Sequence, residues 1–381
     1  MIRLITLGLA LIAAAQSPCF GQVIAIRAGR VLDPATGSAS LNQIILIQRG
    51  RIGAIGPNVT IPAGATVYDL SNATLIPGLI DAHVHLGLGG PVRTNALADL
   101  RAGFTTVIDL GARTHRLLGI RDSINAGLIP GPRVFAAGIW VGRKNGVCEF
   151  GGIGIAGGAD AFRRRVRENI EAGADFIKVC VTGWPAEAYA HPDAYELPDS
   201  VLKAVVDAAH AGKRRVLAHD ISRGGVRAGV AAGIDGLAHA AFLDSATAVL
   251  LRTRSIFMIP TLASLTAGSP RAASNELAWA VGLAQRVGVR LVFGTDGGVL
   301  PHGQNAKEFV AMYQAGVPLA DLLRSATSNA ARALGLDSLG QIGPGMVADI
   351  VALAEDPRGD VTAYQKVRFV MSRGQVVVAR P

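Results

Sequence analysis

Cysteine is nearly absent from this chain, with three in 381 residues. A disulfide-stapled miniprotein is therefore excluded. Charge is also sparse, at 17% of residues against 50% that are hydrophobic. That balance excludes a disordered chain or a coiled coil and describes a protein able to bury a large core. No apolar run reaches the roughly 20 residues that a spanning helix needs, so stable membrane insertion is not expected. An excess of 37 Lys and Arg over 28 Asp and Glu gives a formal charge of +9, yet the basic residues are scattered. Their densest run, Arg163 to Arg167, shares its segment with Asp160, Glu168 and Glu171. This is the composition of a solvated helix face rather than of a nucleic-acid surface.

Residues 1–21 have the layout of a secretory leader. Arg3 precedes an apolar stretch from Leu4 to Ala15, and small and polar residues end at Gly21. A soluble secreted or periplasmic protein is expected, with Cys19 removed. Cys148 and Cys180 then remain in an oxidising compartment, where they could pair; spacing alone does not show that they meet.

Two textures divide the rest. Residues 23–70 hold short Val- and Ile-rich runs stopped by Gly and Pro-Asn turns, and the C-terminus returns to that pattern in MVADIVALAED and VRFVMSRGQVVVA. Between them, apolar runs alternate with helix-length segments: Leu75–His85, Thr105–Leu110, Arg133–Ala137, Asp175–Val181, Arg215–His219, Gly236–His239, Ile256–Thr261 and Arg290–Asp296. Runs apolar on both faces suit parallel strands. Eight β-then-α units imply an α/β fold with a (β/α)8 TIM barrel over 75–337. Residues 22–74 and 338–381 are expected to join as a small β-sandwich. A doubly wound open sheet is the rival, but it gives no reason for polar residues to close so many strands.

Those polar residues are His83 and His85 on the first run, Lys178 on the fourth, His219 on the fifth, His239 on the sixth and Asp296 on the eighth. In a barrel all C-terminal strand ends open on one face, so residues far apart in sequence converge there. Imidazole and carboxylate without obligatory thiolate suit a divalent metal. His83 and His85, two apart in a strand, leave the same face. Singly, His219 and His239 read as core histidines; at successive strand ends beside the pair they read as ligands. Lys178 stands in the apolar strand ADFIKVCV, where burial lowers an amine's pKa. The resulting neutral nitrogen can add carbon dioxide to give a carbamate able to bridge two cations. A lysine salt-bridged to a carboxylate at the barrel mouth fits the same residue. Cys180, two past Lys178, could line the site or pair with Cys148.

These residues stand in LIPGLIDAHVHLG, GFTTVIDLGA, INAGLIPGPRVFAAG, GADFIKVCVTG, VDAAHAGKRRVLAHD, AGIDGLAHAAFLD, VFGTDGGVLPHGQNAKEF and ATSNAARALGLDSLGQIGPGMVADIVAL. Across most of its length the chain resembles the amidohydrolase superfamily, in its exported imidazolonepropionase-like and prolidase-like branch. The resemblance implies that His83, His85 and Asp296 hold one divalent ion, that His219 and His239 hold a second, and that carboxylated Lys178 bridges them. Lys178 points to a dinuclear hydrolase, because the single-metal members lack this lysine. Two departures are visible. The Gly-Gly-His segment that dipeptide-cleaving relatives often carry after the third strand is replaced by GGIGIAGGADA, and Asp220 and Ile221 stand where a small residue and a second histidine usually follow His219.

The expected reaction is hydrolysis of an amide in a dipeptide, N-acyl amino acid or similar small molecule. Two cations, zinc by default, share a hydroxide, and Asp296 acts as general base and then acid. A lactonase or esterase would use the same centre, and a catalytically inactive binding protein on the same barrel is the alternative from another class. Loop residues Arg143, Trp184, Tyr189, Tyr195 and His302 are candidate substrate contacts, Arg143 for a substrate carboxylate. A homo-oligomer is compatible with the composition.

Overall fold

The computed structural model describes residues 23–266 and 271–380, so the expected leader and Cys19 lie outside the described residues. The chain opens with β1 (Ile24–Leu32), β2 (Ala39–Gln48), β3 (Arg51–Gly56) and β4 (Thr66–Pro77). Seven shorter strands follow: β5 (Leu79–Val84), β6 (Phe104–Asp109), β7 (Arg133–Ala136), β8 (Phe176–Cys180), β9 (Arg215–Asp220), β10 (Gly236–His239) and β11 (Phe257–Ile259). The last three are β12 (Ile350–Leu353), β13 (Val367–Ser372) and β14 (Gln375–Ala379).

Strands from the two ends form one seven-stranded sheet in the order β14-β13-β12-β4-β1-β2-β3. Strands from both ends of the chain thus share one hydrogen-bonded sheet, the composite origin expected from the sequence. The twelve-residue β4 is the joint, parallel to β1 on one edge and antiparallel to β12 on the other, with Leu75 opposite Ala352 and Pro77 opposite Ile350. Its apolar end was expected to begin the first barrel strand. The break falls instead at Gly78, where a Cβ would lie 2.1 Å from Thr105 Oγ1, so only glycine lets the chain cross there. The sheet encloses its own apolar cluster, which includes Ile26, Ile45, Ile52, Leu75, Ile350 and Phe369.

The central strands are all parallel, in a three-stranded sheet β5-β6-β7 and a four-stranded sheet β11-β10-β9-β8. Helices separate them, among them Val92–Arg101, Arg116–Asn125, Ala159–Glu171, Asp199–Ala211, Arg223–Ala232 and Ser245–Thr253. Asp244 and Ser222 cap two of these by accepting the N–H groups of Thr247 and Gly225. Ala159–Glu171 buries Phe162, Val166 and Asn169 while Arg163 pairs with Asp160 and Arg165 with Glu168, the solvated face expected of that basic run. Parallel bridges continue between the sheets: Val141 with Val179, Met258 with Leu291 and Val84 with Gly297. The eighth run, 290–296, contributes Leu291 to these bridges and leads into Gly297 without forming a regular strand. Ile80, Ile108, Phe176, Leu217, Phe257, Ile259 and Val292 meet in one buried cluster between these strands. Among the described residues no helix is long and apolar enough to cross a membrane.

Cys148 and Cys180, 32 positions apart in sequence, form a disulfide with Cα atoms 6.2 Å apart. It ties the long segment after β7 to the end of β8, within a cluster of Trp140, Val147, Phe150 and Ile153. Gly142 makes room for the bond, because a Cβ there would lie 3.0 Å from that of Cys148. A disulfide closing a loop of this size stabilises mainly by restricting the unfolded chain. The double variant Cys148→Ala/Cys180→Ala should lose about 2–4 kcal/mol in denaturant unfolding. Unchanged stability would show that packing alone holds the segment.

Candidate metal centre

The strand ends bring together all six residues singled out in the sequence. Asp296 Oδ1 lies 3.3 Å from His83 Nε2 and 3.2 Å from His85 Nε2. The His83 ring lies 5.2 Å from that of His85 and 5.3 Å from that of His239, and His219 and His239 are 4.6 Å apart. Ligand atoms of His83, His239 and Asp296 all fall within 4.8 Å of one another. Lys178, buried on β8, places Nζ 3.3 Å from His83 Nε2. Its hydrogen-bonding neighbour is thus an imidazole, while the Asp296 carboxylate acts on the amine through its charge.

Local backbone shapes this convergence. His239, Ala240, Thr261 and Asp296 have φ of 79°, 55°, 53° and 56°, a left-handed conformation costly for residues with a Cβ. Such strain is held by surrounding structure and gathers at functional sites. Neighbours also orient the imidazoles. His239 Nδ1 meets Thr261 Oγ1 at 2.7 Å, His85 Nδ1 meets the Gly111 carbonyl at 3.1 Å, and His219 Nε2 lies 3.5 Å from the Gly183 carbonyl. With Nδ1 engaged, His239 Nε2 is left buried without a partner, and so is His83 Nδ1. Buried nitrogens without partners are rare unless an ion or water completes them.

Electrostatics agree with a cation site. Burial pushes the Lys178 amine down to about 7 and His219 down to about 4. Burial likewise holds His83 and His239 well below the usual imidazole range. At Asp296 burial acts to raise the pKa, but His83, His85 and His239 outweigh it and keep the carboxyl well below its ordinary range. Neutral imidazoles, a carboxylate and a readily deprotonated amine are the protonation states that metal ligation or carbamate formation requires.

A second layer of buried acids was not singled out from the sequence. Asp81 accepts the N–H groups of His83 and Thr295, the Thr295 hydroxyl and the Asn305 amide, at 2.7–3.1 Å. Burial raises it to about 7. It lashes β5 to the eighth run, so His83 and Asp296 are set against each other. Asp109 accepts from the N–H of Leu86 and of Gly111, fixing the chain on both sides of His85. Glu308 accepts from Leu262 and Ala263, next to Thr261. An acid in the apolar strand FTTVID, or Thr261 closing its run, was the available signal. Asp220, by contrast, points away from the centre: its oxygens are buried without partners, against Gly225 and Gly229.

The candidate substrate contacts separate. His302 has both ring nitrogens occupied, Nδ1 by Asp99 at 2.8 Å and Nε2 by the His85 carbonyl at 3.3 Å. It braces the site instead of facing a ligand. Arg143 Nε lies 3.7 Å from Glu196 Oε2, so its charge is already answered. Tyr195 donates to Asp199 at 2.8 Å, and Tyr189 packs its ring on Phe242. Trp184, 54% exposed, keeps its ring 6.4 Å from His219 and remains at the mouth. It ends an aromatic arc that runs from His85 to Trp140 (5.4 Å), Phe150 (4.9 Å) and Trp184 (6.4 Å), of which Phe150 was not singled out from the sequence.

Known proteins resemble this chain in sequence and fold. The chain is 26% identical to an ochratoxinase of Aspergillus niger over 92% of its own length and 85% of that protein. It is 30% identical to an uncharacterized protein of Mycobacterium tuberculosis over 82% of its length and 87% of that protein. The crystal structure of a Xaa-Pro dipeptidase with methionine bound in its active site superimposes with a TM-score of 0.86 at 27% identity, covering 94% of this chain and all of that one. Residues 74–377 match the Amidohydrolase family. The chain therefore belongs to the amidohydrolase family and is a hydrolase acting on carbon–nitrogen bonds.

Proposed function

We propose that this chain hydrolyses the amide bond of a dipeptide, N-acyl amino acid or similar small molecule at a dinuclear centre. His83, His85 and Asp296 hold one divalent cation, His219 and His239 the other, and carboxylated Lys178 lies between. The observation that carries this reading is the group of buried, converging donors, with His239 Nε2 unpartnered and Lys178 Nζ beside His83. Zinc suits the donor set. Supporting the architecture, parallel bridges run from β7 through β8 and from β11 through the eighth run to β5, as a closed (β/α)8 barrel requires. The Cys148–Cys180 bond supports export, since disulfides persist in oxidising compartments.

When bound, the cations supply a Lewis acid for the substrate carbonyl and an acidified water. The protein's own groups do the rest. Lys178 reacts as the free amine, its nitrogen forming a bond to the carbon of carbon dioxide as one proton leaves. Asp296, held ionised, takes the proton from the attacking water and hands it to the departing nitrogen, which leaves as a neutral amine. The Gly111 carbonyl, which can only accept, keeps His85 in the tautomer that presents Nε2 to the centre, and Thr261 Oγ1 orients the His239 ring. Trp140, Phe150 and Trp184 offer apolar surface to the acyl or amine side of the substrate.

Purified protein should contain about two divalent ions per chain and release amine from N-acyl amino acids; an empty centre with no turnover would refute the assignment. Lys178→Ala should lose bound metal and most activity while remaining folded, and full metal content there would exclude the carbamate. Asp296→Asn should lower kcat by about 10²–10⁴. An unaltered kcat would remove Asp296 from proton transfer.

A further inference from the structure

Where the parallel strands and their helices meet the seven-stranded sheet, a cavity of about 450 Å³ opens between the end of the helix Arg116–Asn125, the segment after it and the hairpin β13–β14. None of the six candidate metal ligands lines it. Leu100, Ile124, Ile129, Pro130 and Val377 give it an apolar wall, of which Leu100 and Ile124 are buried. Leu128, between the lining residues Gly127 and Ile129, is 80% exposed at the rim. The volume falls in the range of about 300–1,000 Å³ usual for small-molecule sites.

Its polar corner is the end of β13 and the turn that follows. Ser372, 7% exposed, keeps Oγ buried with no hydrogen-bond partner among the described residues, and so does Nη2 of Arg373. The other terminal nitrogen, Arg373 Nη1, donates to the Asn125 carbonyl at 2.9 Å, which holds the guanidinium on the lining. Asp349 does not neutralise it: one carboxylate oxygen accepts the Arg373 backbone N–H at 2.6 Å, and the other accepts from Arg133 at 2.8 Å. One carboxylate thus serves two arginines at this seam, and positive charge is left over. Arg373 differs from the exposed arginines of the surface, because it is half-buried and Nη2 is shut off from solvent. Burial, and after it Arg133, disfavours its charge. A buried guanidinium N–H without an acceptor is costly, and an anion placed on it removes that cost.

We infer that this cavity is a second binding site, separate from the metal centre, that takes a small carboxylate with an alkyl tail. The head sits on Arg373 Nη2 and Ser372 Oγ, and the tail lies along Ile124, Ile129 and Val377 under Leu128. Its two oxygens accept the two hydrogen bonds that the chain leaves unmade, and its charge answers the surplus at the seam. The site does not depend on the amide-hydrolase reading. A carboxylate bound there ties the helix Arg116–Asn125 to the hairpin β13–β14, so occupancy stabilises the folded chain.

Octanoate is the probe, titrated calorimetrically into the full chain. Binding should be saturable, and weakened at least about tenfold both by Arg373→Met, which keeps the stem and removes the charge, and by Val377→Trp, which fills the cavity. Octan-1-ol and inorganic phosphate each offer only half of the recognised chemistry and should bind at least about tenfold more weakly than octanoate. Octanoate should also raise the Tm of the wild type and leave that of both variants unmoved. Absence of saturable binding up to about 10 mM overturns the site. So does affinity unchanged in either variant, the result expected if octanoate sits at the metal centre instead, and so does equal affinity for the alcohol or for phosphate. If Arg373→Met does not fold, the milder Ser372→Ala replaces it: a loss of about threefold or more supports the site, and an unchanged affinity overturns it.

Discussion

Burial of ionisable side chains against one another is the constraint on which the rest of this molecule depends. Lys178, His83 and His239 are all but removed from water, and Asp296 nearly so. A lysine or carboxylate in such surroundings is costly unless its protonation state changes or a partner answers it. Here the imidazoles stay neutral, the amine is easily deprotonated and the carboxyl stays ionised. No arrangement of the protein's own hydrogen bonds satisfies the set, since His83 and His239 each keep a buried nitrogen unpartnered. His239 leaves its Nε2 free beside His83 and Asp296, and these three form a possible metal-binding group rather than a self-satisfied structural cluster.

Holding six such groups in register requires a scaffold that does not give. Asp81, Asp99, Asp109 and Glu308 provide it from behind, each accepting backbone N–H groups or ring nitrogens from segments adjacent to the candidate ligands. Each joins pieces of chain that the strand hydrogen bonds leave separate: Asp81 and Asp99 reach more than 200 positions along the sequence to Thr295 and His302. The irregular eighth run is positioned by these side chains more than by a ladder of its own. The buried disulfide holds the aromatic segment over the mouth, so rigidity below and a fixed apolar rim above belong to one construction.

Much of this was legible in the sequence. Parallel strands buried on both sides announce themselves as apolar runs, and a polar residue closing such a run has few reasons to be there unless it faces a site. His83, His85, Lys178, His219, His239 and Asp296 were found by that logic. The same continuity concealed the boundary at Gly78, because β4 and β5 are apolar on either side of it and periodicity carries no mark where one sheet ends and another begins. Arg143 and His302 were chosen as substrate contacts because they are polar and lie in loops. Their partners, Glu196 and Asp99, are remote in sequence, and nothing local shows that those charges are already answered.

The order of strands and helices, the donor types and their places at strand ends were therefore determined by the sequence alone, since each follows from local periodicity and residue chemistry. Only the tertiary structure decided which donors touch, that Cys148 meets Cys180, and that both ends of the chain share one sheet. Those outcomes depend on contacts between residues tens to hundreds of positions apart. Such distances are set by packing, which no window of sequence contains.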